Sequence, residues 1–476
     1  MLALVLVSMM ASSLFTLTFL KESTQASGLM SVASGQEVPK EFSKLQNALE
    51  IIKRDYIQKV DEDKLMEGAI EGMIKTLDDP YSDYMNPQAA KEFNESLGST
   101  FQGIGAEVTM QNGRVTIVSP FKGSPAEKAG LRPNDQILSV NGESLEGLEL
   151  YQAVQKIRGP KGSKAVLKVI RPGIEEPITI TCIRDDIPIE TVYSEMLTQG
   201  DKKFGKLEIT QFSAETAKHF TEQLASLEKQ GIQGLVIDVR GNPGGYLLAV
   251  KEIGQLLVPN QGVIVKIEYG DDAKGEEVIR STLDKAKPYP VVVLIDNGSA
   301  SASEILAGAM RDSVGYKLVG EKSFGKGTVQ NTVEMNDKSQ LKLTIAKWLT
   351  PKGEWIHKKG IEPDYKVEQP AYFKAAPLPQ DKVLQLDQSG ADVKNLQVIL
   401  EGLRLAPGRN DGYYDVKTEA AVKRFQTSKK LPATGKVDKG TAAALQEAIL
   451  VQIKDQKNDK QLQKALQVLA EQAKTK

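Results

Sequence analysis

The sequence has one cysteine, Cys182, and two histidines, His219 and His357, in 476 residues. A single cysteine excludes an intramolecular disulfide and leaves no thiolate cluster to hold zinc or iron. Cys182 lies in the alternating run PITITCIR and reads as a packed strand residue. The shortage of histidine is the more useful absence. A Ser-His-Asp hydrolase or a histidine-rich metal site would have to use one of the two. His219 lies on an amphipathic helical pattern, SAETAKHFTEQLASLEKQG, with Phe220 and Leu224 on its apolar side, and His357 lies in the turn-rich stretch GEWIHKKG. Neither belongs to a motif. Charge of one sign is also missing: 61 basic residues face 62 acidic ones, a net charge of -1. That balance gives no footprint for nucleic acid or an anionic surface. Neither the paired carboxylates nor the zinc motif of a wall hydrolase is evident. No metal and no cofactor is expected.

What is there is length and modularity, with a domain count of about three. Residues 1–28 read as a signal peptide or membrane anchor. Residues 1–20 carry no charge, and Lys21 ends the run. At ~1.5 Å rise per residue such a helix just spans a bilayer core. No Lys or Arg precedes the apolar run, as one would in a signal peptide, so the natural start is expected upstream. TQASG at 24–28 offers a place for cleavage. Either reading puts the remainder outside the cytoplasm, with a membrane contact if the segment is kept. The absence of disulfides favours a bacterial envelope over a eukaryotic secretory setting. Residues 40–95 form a helical region, with apolar residues at Leu45, Leu49, Ile52 and Tyr56, then Leu65, Ala69, Ile70, Met73 and Ile74. It is either a small helical subdomain or the face of a homodimer.

Residues 96–184 change to short β runs with two short helices. Gly130, Leu131, Asp135, Ile137, Val140, Asn141 and Gly142 fit GLxxxDxIxxVNG, and the block resembles a PDZ domain. Upstream, FQGIGAEV resembles the carboxylate-binding loop of that family. The resemblance implies that backbone N–H groups at Gly103, Ile104, Gly105 and Ala106 hold the terminal carboxylate of a peptide that pairs with a strand. Taken alone, a GxG loop is more often a tight turn.

Residues 185–370 alternate strands and helices. Apolar strand runs such as LVIDV and VVVLI suggest a sheet covered on both faces. Residues 371–384 are a linker. Residues 385–448 carry DG(x2)D(x2)T(x2)AV(x2)FQ at Asp411, Gly412, Asp415, Thr418, Ala421, Val422, Phe425 and Gln426, then LPATGKVDKGTAAAL. This resembles the peptidoglycan-binding domain, a small three-helix fold, and implies peptidoglycan as a partner. Val422, Phe425, Leu431 and Leu445 read equally as its core. Residues 449–476 are a charged amphipathic helical tail. The fold class is multidomain α+β: an N-terminal helical segment, a PDZ-like β-rich domain, an α/β core and a three-helix C-terminal domain.

The chemistry concentrates at residues 297–310 (NGSASASEILAGAM) and 325–330 (GKGTVQ). Ser301 sits where a buried strand gives way to a helix. Ser301-Ala302-Ser303-Glu304 is a capping box, so Ser301 reads as a helix cap. A cap is also a place for a nucleophile, because free N–H groups of the helix start can stabilise an oxyanion. Lys326 has a rival reading: residues 320–326 fit GxxxxGK of a phosphate loop. Gly327 stands where Ser or Thr should bind Mg²⁺, and TVQNTVEM alternates like a strand. A lysine base needs a neutral amine. Free lysine titrates near 10.4, and lowering that by ~2–3 units costs on the order of 3–4 kcal/mol. Burial among Phe324, Val329 and Trp348 would supply it. On an extended strand Gln330 shares a face with Lys326 and can orient the amine without charging it. The Gly-rich turn at 240–246 is a plain strand–helix turn, a weak phosphate loop, or the source of a second oxyanion N–H.

DVRGNPGGYL, GSASASEILAGAMRD, VGEKSFGKGTVQ and KGIEPD, in this order and spacing, resemble the carboxyl-terminal processing (tail-specific) protease family over about residues 40–370. The resemblance implies Ser301 as nucleophile, Lys326 as general base and Gln330 as its partner. It implies an oxyanion hole from the N–H groups of Ala302 and Gly245. Glu304, Arg240 and Asp312 also match and read as supporting residues. Protein substrates with apolar C-terminal tails, gated through the PDZ domain with the 157–162 stretch as part of the coupling, follow from the same likeness. So does a role in regulatory proteolysis. The alternative is a catalytically silent scaffold that joins a PDZ domain to the wall.

Overall fold

The computed structural model describes residues 40–473, apart from Asn112, Gly173, Glu175, residues 271–274 and Gln380. The uncharged segment 1–20 and its candidate cleavage stretch lie outside the described residues. Among the described residues, no helix is long and apolar enough to cross a membrane. The chain divides into two compact units, Met1–Asp78 and Asp79–Lys476.

In the first unit, helices Lys40–Asp55 and Glu62–Lys75 follow the expected spacing. Asp61 caps the second by accepting the Lys64 N–H. No residue of that helix is buried, and Leu45, Ile52 and Met66 remain 38–43% exposed. The expected helical region 40–95 holds a third helix, Pro87–Leu97, and a short strand as well. Strand Asp83–Met85 pairs with Gln340–Leu349, so the chain from Asp79 onward belongs to the second unit. Three residues are too few for a period to show.

The PDZ-like block forms an antiparallel sheet in the order Ala106–Gln111, Arg114–Pro120, Gln136–Val140, Lys164–Ile170, Ile178–Ile183. Alternation builds it: Ala165, Leu167 and Val169 point into a core that also holds Ile117, Ile137 and Cys182. Burial pushes the Cys182 thiol up to about 11, which fits an inert packing residue. Asp135 of the motif is fully buried and clamped by Arg171, Nε and Nη2 each 2.8 Å from a carboxylate oxygen.

The core sheet has six strands in the order Val192–Gln199, Lys202–Ile209, Leu235–Asp238, Val291–Ile295, Lys317–Gly320, Tyr365–Lys366, parallel after the first pair. Strand parity divides its side chains between two faces. Leu235, Ile237, Val291 and Val293 meet helices Thr216–Lys229, Leu247–Leu257 and Ala302–Ala309. Val236, Val292, Leu294 and Val319 meet Leu462, Leu466 and Leu469 of the last helix, Lys460–Gln472. The expected tail is therefore a layer of the core. A second sheet, built on Gln340–Leu349 with Thr328–Glu334 and Val263–Tyr269 on either side, stands beside it. The C-terminal module has the three expected helices, Ala391–Gly402, Val416–Ser428 and Lys439–Lys454, around Leu396, Val422, Phe425 and Leu445. Its third helix runs past the expected boundary at 448.

Candidate active site

Strands Leu235–Asp238 and Val291–Ile295 are parallel neighbours, so the turns at their carboxyl ends lie side by side, where α/β sheets leave a crevice. The turns are laced together. Asp296 Oδ1 accepts the N–H of Gly241 at 2.8 Å and of Gly298 at 2.9 Å, and the Ser299 hydroxyl donates to Val239 O at 2.8 Å. Buried Asn242 accepts the Ala300 N–H and the Ser303 hydroxyl on its carbonyl and the Gly244 N–H on its side chain, and it donates to Ile209 O.

This contact is open only to glycine. A Cβ on Gly244 would stand 2.8 Å from Ser301 Cβ and 3.0 Å from Ala302 N, and one on Gly245 would stand 2.0 Å from Phe212 O. Both glycines have positive φ, +103° and +142°. The N–H groups of Gly245 and Ala302 donate to no backbone acceptor among the described residues outside the regular elements, and Ala302 as the first helical residue has none within its helix.

Ser301 has φ 54° and ψ −112°, a conformation costing a non-glycine residue about 1–3 kcal/mol. Glu304 holds it there. Its carboxylate is fully buried. Oε2 accepts the N–H of Ser301 at 2.9 Å and of Lys326 at 2.8 Å, and Oε1 accepts the N–H of Gly325 at 2.7 Å and the Ser323 hydroxyl at 2.6 Å. One side chain thus fixes the backbone of both candidate catalytic residues. The capping box in the sequence shows the Ser301 contact. It could not show the reach to residues 323–326.

The Lys326 carbonyl accepts from Trp348 Nε1 at 2.9 Å, so its backbone is held on both sides. Segment 358–364 braces the loop: Ile361 N–H donates to the Ser323 hydroxyl at 2.6 Å, and Lys358 N–H to Gly325 O at 2.8 Å. No phosphate loop forms, because strand Thr328–Glu334 follows where a helix would be needed. The Lys326 amine lies 4.9 Å from the Tyr81 ring centroid. Burial, with Lys342 adding repulsion, holds its pKa below the ordinary lysine value, although Asp79 and Glu304 pull the other way. Trp348 and Val329 line its surroundings as expected. Phe324 is 56% exposed and is absent from that lining, where Tyr81 is found.

Ser301, Ala302, Gly245, Lys326 and Gln330 all line one cavity of about 700 Å³, with Leu248, Ile305 and Trp348 as apolar wall. No hydrogen bond joins Ser301, Lys326 and Gln330 to one another. The Gln330 amide donates instead to Thr328 Oγ1 at 2.9 Å and Thr344 Oγ1 at 3.1 Å. The strand starts only at Thr328, and a register shift falls between Val329 and Gln330, so the simple face-sharing argument for Lys326 and Gln330 does not carry over. His357 lies outside this lining. Its Nδ1 accepts the Gly327 N–H at 3.4 Å, and its ring stacks on Trp355 at 5.3 Å. His219 faces Glu190 at 3.6 Å on the first helix of the core.

The loop Gly103–Ala106 is placed elsewhere, on the PDZ-like domain. Gly103 pairs with Asp185, the Ile104 side chain is buried in that domain's core, and Gly105 at φ +73° has no room for a Cβ, which would meet Ser124 Cβ at 2.6 Å. Ala106 begins an edge strand whose outer side pairs with no strand among the described residues.

Four family models match the chain: peptidase family S41 over residues 203–367, a PDZ domain over 116–171, a peptidoglycan binding domain over 389–445, and the N-terminal domain of the activating protease CtpB over 7–89. The carboxy-terminal processing protease CtpB of Bacillus subtilis is 51% identical over 434 residues, covering 91% of this chain and 90% of that protein. The carboxy-terminal processing protease CtpA of the same organism is 44% identical over 466 residues, covering 98% and 97%.

Proposed function

Because the chain belongs to the carboxy-terminal processing proteases of peptidase family S41, a family of serine peptidases, we propose that Ser301 is its nucleophile and Lys326 its general base. One observation carries this: a strained serine, a partly desolvated lysine and two N–H groups with no acceptor among the described residues border one cavity. Neutral Lys326 takes the Ser301 proton as Oγ attacks the scissile carbonyl carbon. The oxyanion is met by the N–H groups of Ala302 and Gly245. Lys326 then returns the proton to the leaving amine, and water releases the acyl group from Ser301. The amine and the hydroxyl share no hydrogen bond without substrate, and substrate engagement closes that gap. Gln330, held by two threonines, brings a neutral amide to the same cavity and adds no charge there. The apolar wall favours an apolar residue at the cut.

The PDZ domain is read as the receptor for an apolar C-terminal tail, its carboxylate on the N–H groups of Gly103–Ala106 and its chain along the open edge strand. The stretch 157–162 offers the link to the core. Arg158 stacks on Phe101 at 4.7 Å and pairs with Glu95 at 3.7 Å, and Lys161 pairs with Asp185 and Asp186 at 2.8 Å. The peptidoglycan-binding domain supports work in the cell envelope, on envelope or secreted proteins. The exposed apolar face of the N-terminal helices supports a homodimer contact.

The pH–rate profile tests the base. Activity should rise with pH through a limb below the ordinary lysine value, about 10.4, since the amine must lose its proton to act. Lys326→Ala should abolish it. A limb near about 6.5 that survives Lys326→Ala would point to a histidine and sink the assignment.

A further inference from the structure

A second set of buried charges meets the turn that carries Gly245. Arg240 opens that turn, and its guanidinium is saturated. Nε and Nη2 donate to Asp238 at 2.9 and 2.7 Å, Nη1 and Nη2 to Asp459 at 3.0 and 2.8 Å, and Nη1 also to Gln461 at 2.9 Å. Asp459 and Gln461 stand at the start of the last helix, beyond the whole C-terminal module. They are 9% and 1% exposed. Asp459 also accepts from Gln369 Nε2 at 2.6 Å, Lys460 N–H donates to Gln369 Oε1 at 3.1 Å, and Gln461 donates to Val367 O at 2.9 Å. The chain thus leaves the core and returns to it at one polar knot, and Arg240 is part of that knot.

The Asp238 contacts are local and turn with the loop. Those from Asp459 and Gln461 tie the loop to a different layer of the molecule. We propose that Asp459 and Gln461 are positioning residues for the oxyanion turn: by fixing the Arg240 guanidinium they fix the path of residues 240–245 and the direction of the Gly245 N–H. The last helix is then a working part of the protease core, although it follows the wall-binding module in the chain. This rests on the reading of Gly245 as an oxyanion donor. Burial opposes the charge on Asp459, but the Arg240 hydrogen bond and charge outweigh it and hold its pKa below the ordinary carboxylate range. The tie therefore stays ionic near neutral pH.

The test uses the full chain. Asp459→Asn keeps a helix-capping oxygen and removes the charge. Gln461→Met keeps the ion pair and removes the acceptor for Arg240 Nη1 together with the donor to Val367 O. A misdirected donor acts on the transition state and leaves substrate binding alone. Asp459→Asn is therefore expected to lower kcat on the order of 10- to 100-fold with KM within about twofold, and Gln461→Met to lower it severalfold. Affinity for a peptide boronic acid that forms a tetrahedral adduct at the nucleophile should fall in step with kcat. Leu469→Ala, on the apolar face of the same helix, should lower the thermal midpoint and leave kcat of the folded protein unchanged. A kcat within twofold of the parent in the folded variants overturns the proposal. So does an equal kcat loss in Leu469→Ala, which would reduce the helix to a general stabiliser. If Asp459→Asn does not fold, Gln461→Met decides. Should Ser301→Ala retain cleavage, the dyad reading fails. Should Ser301→Ala be inactive while both knot variants keep full kcat, this inference alone fails.

Discussion

A carboxylate that faces four donors has all its lone-pair directions occupied. For Glu304 those donors are the N–H groups of Ser301, Gly325 and Lys326 and the hydroxyl of Ser323. Glu304→Gln keeps the shape but turns an NH₂ toward two of them. Each unsatisfied buried donor costs about 1–3 kcal/mol. The variant should be less stable in urea and slower in kcat by roughly tenfold or more, because the backbones of both proposed catalytic residues shift. Unchanged kcat in a folded Glu304→Gln would show that other contacts hold the two turns. Much of this residue-level picture is legible in the sequence. Ser-x-x-Glu announces a helix start, Lys between two glycines announces a loop, and the proposed lysine base agrees with two histidines that lie outside any motif. The partners of those residues are not legible. Tyr81 rather than Phe324 beside the amine, and Thr344 beside Gln330, are contacts between segments far apart in the chain, on which local periodicity is silent.

The last helix makes the same point for a whole element. Its amphipathic period shows that one face is apolar, and the unbroken runs LVID and VVVLI show that the core strands are covered on both sides. Neither pattern says that each is the other's cover. The packing is close, with Leu462 and Leu469 at most 1% exposed against Val236, Val292 and Leu294. Leu469→Ala should therefore destabilise the core by about 2–5 kcal/mol, measured from denaturant midpoints. A loss below about 0.5 kcal/mol, the range of surface substitutions, would mean that the helix does not cover the sheet in solution. Asp83–Met85 is the opposite case, a strand that exists only because Gln340–Leu349 offers it an edge.

For the molecule as a whole, the PDZ domain, the protease core and the domain similar to peptidoglycan-binding domains lie within one compact unit, while the two N-terminal helices form another. Module identities were readable from motifs, since GLxxxDxIxxVNG and the DG(x2)D(x2)T series mark folds by the turns and caps they need. The boundaries were less readable, because the core borrows a strand from before the PDZ domain and a helix from after the wall-binding module. That arrangement agrees with the proposed reading, in which a protein is held by its tail and cleaved by Ser301. The most direct measurement of this claim is cleavage of a protein with an apolar C-terminal tail by folded Ser301→Ala beside the parent at equal concentration. The account predicts no turnover above background for Ser301→Ala. Cleavage retained at the parent's rate would contradict it.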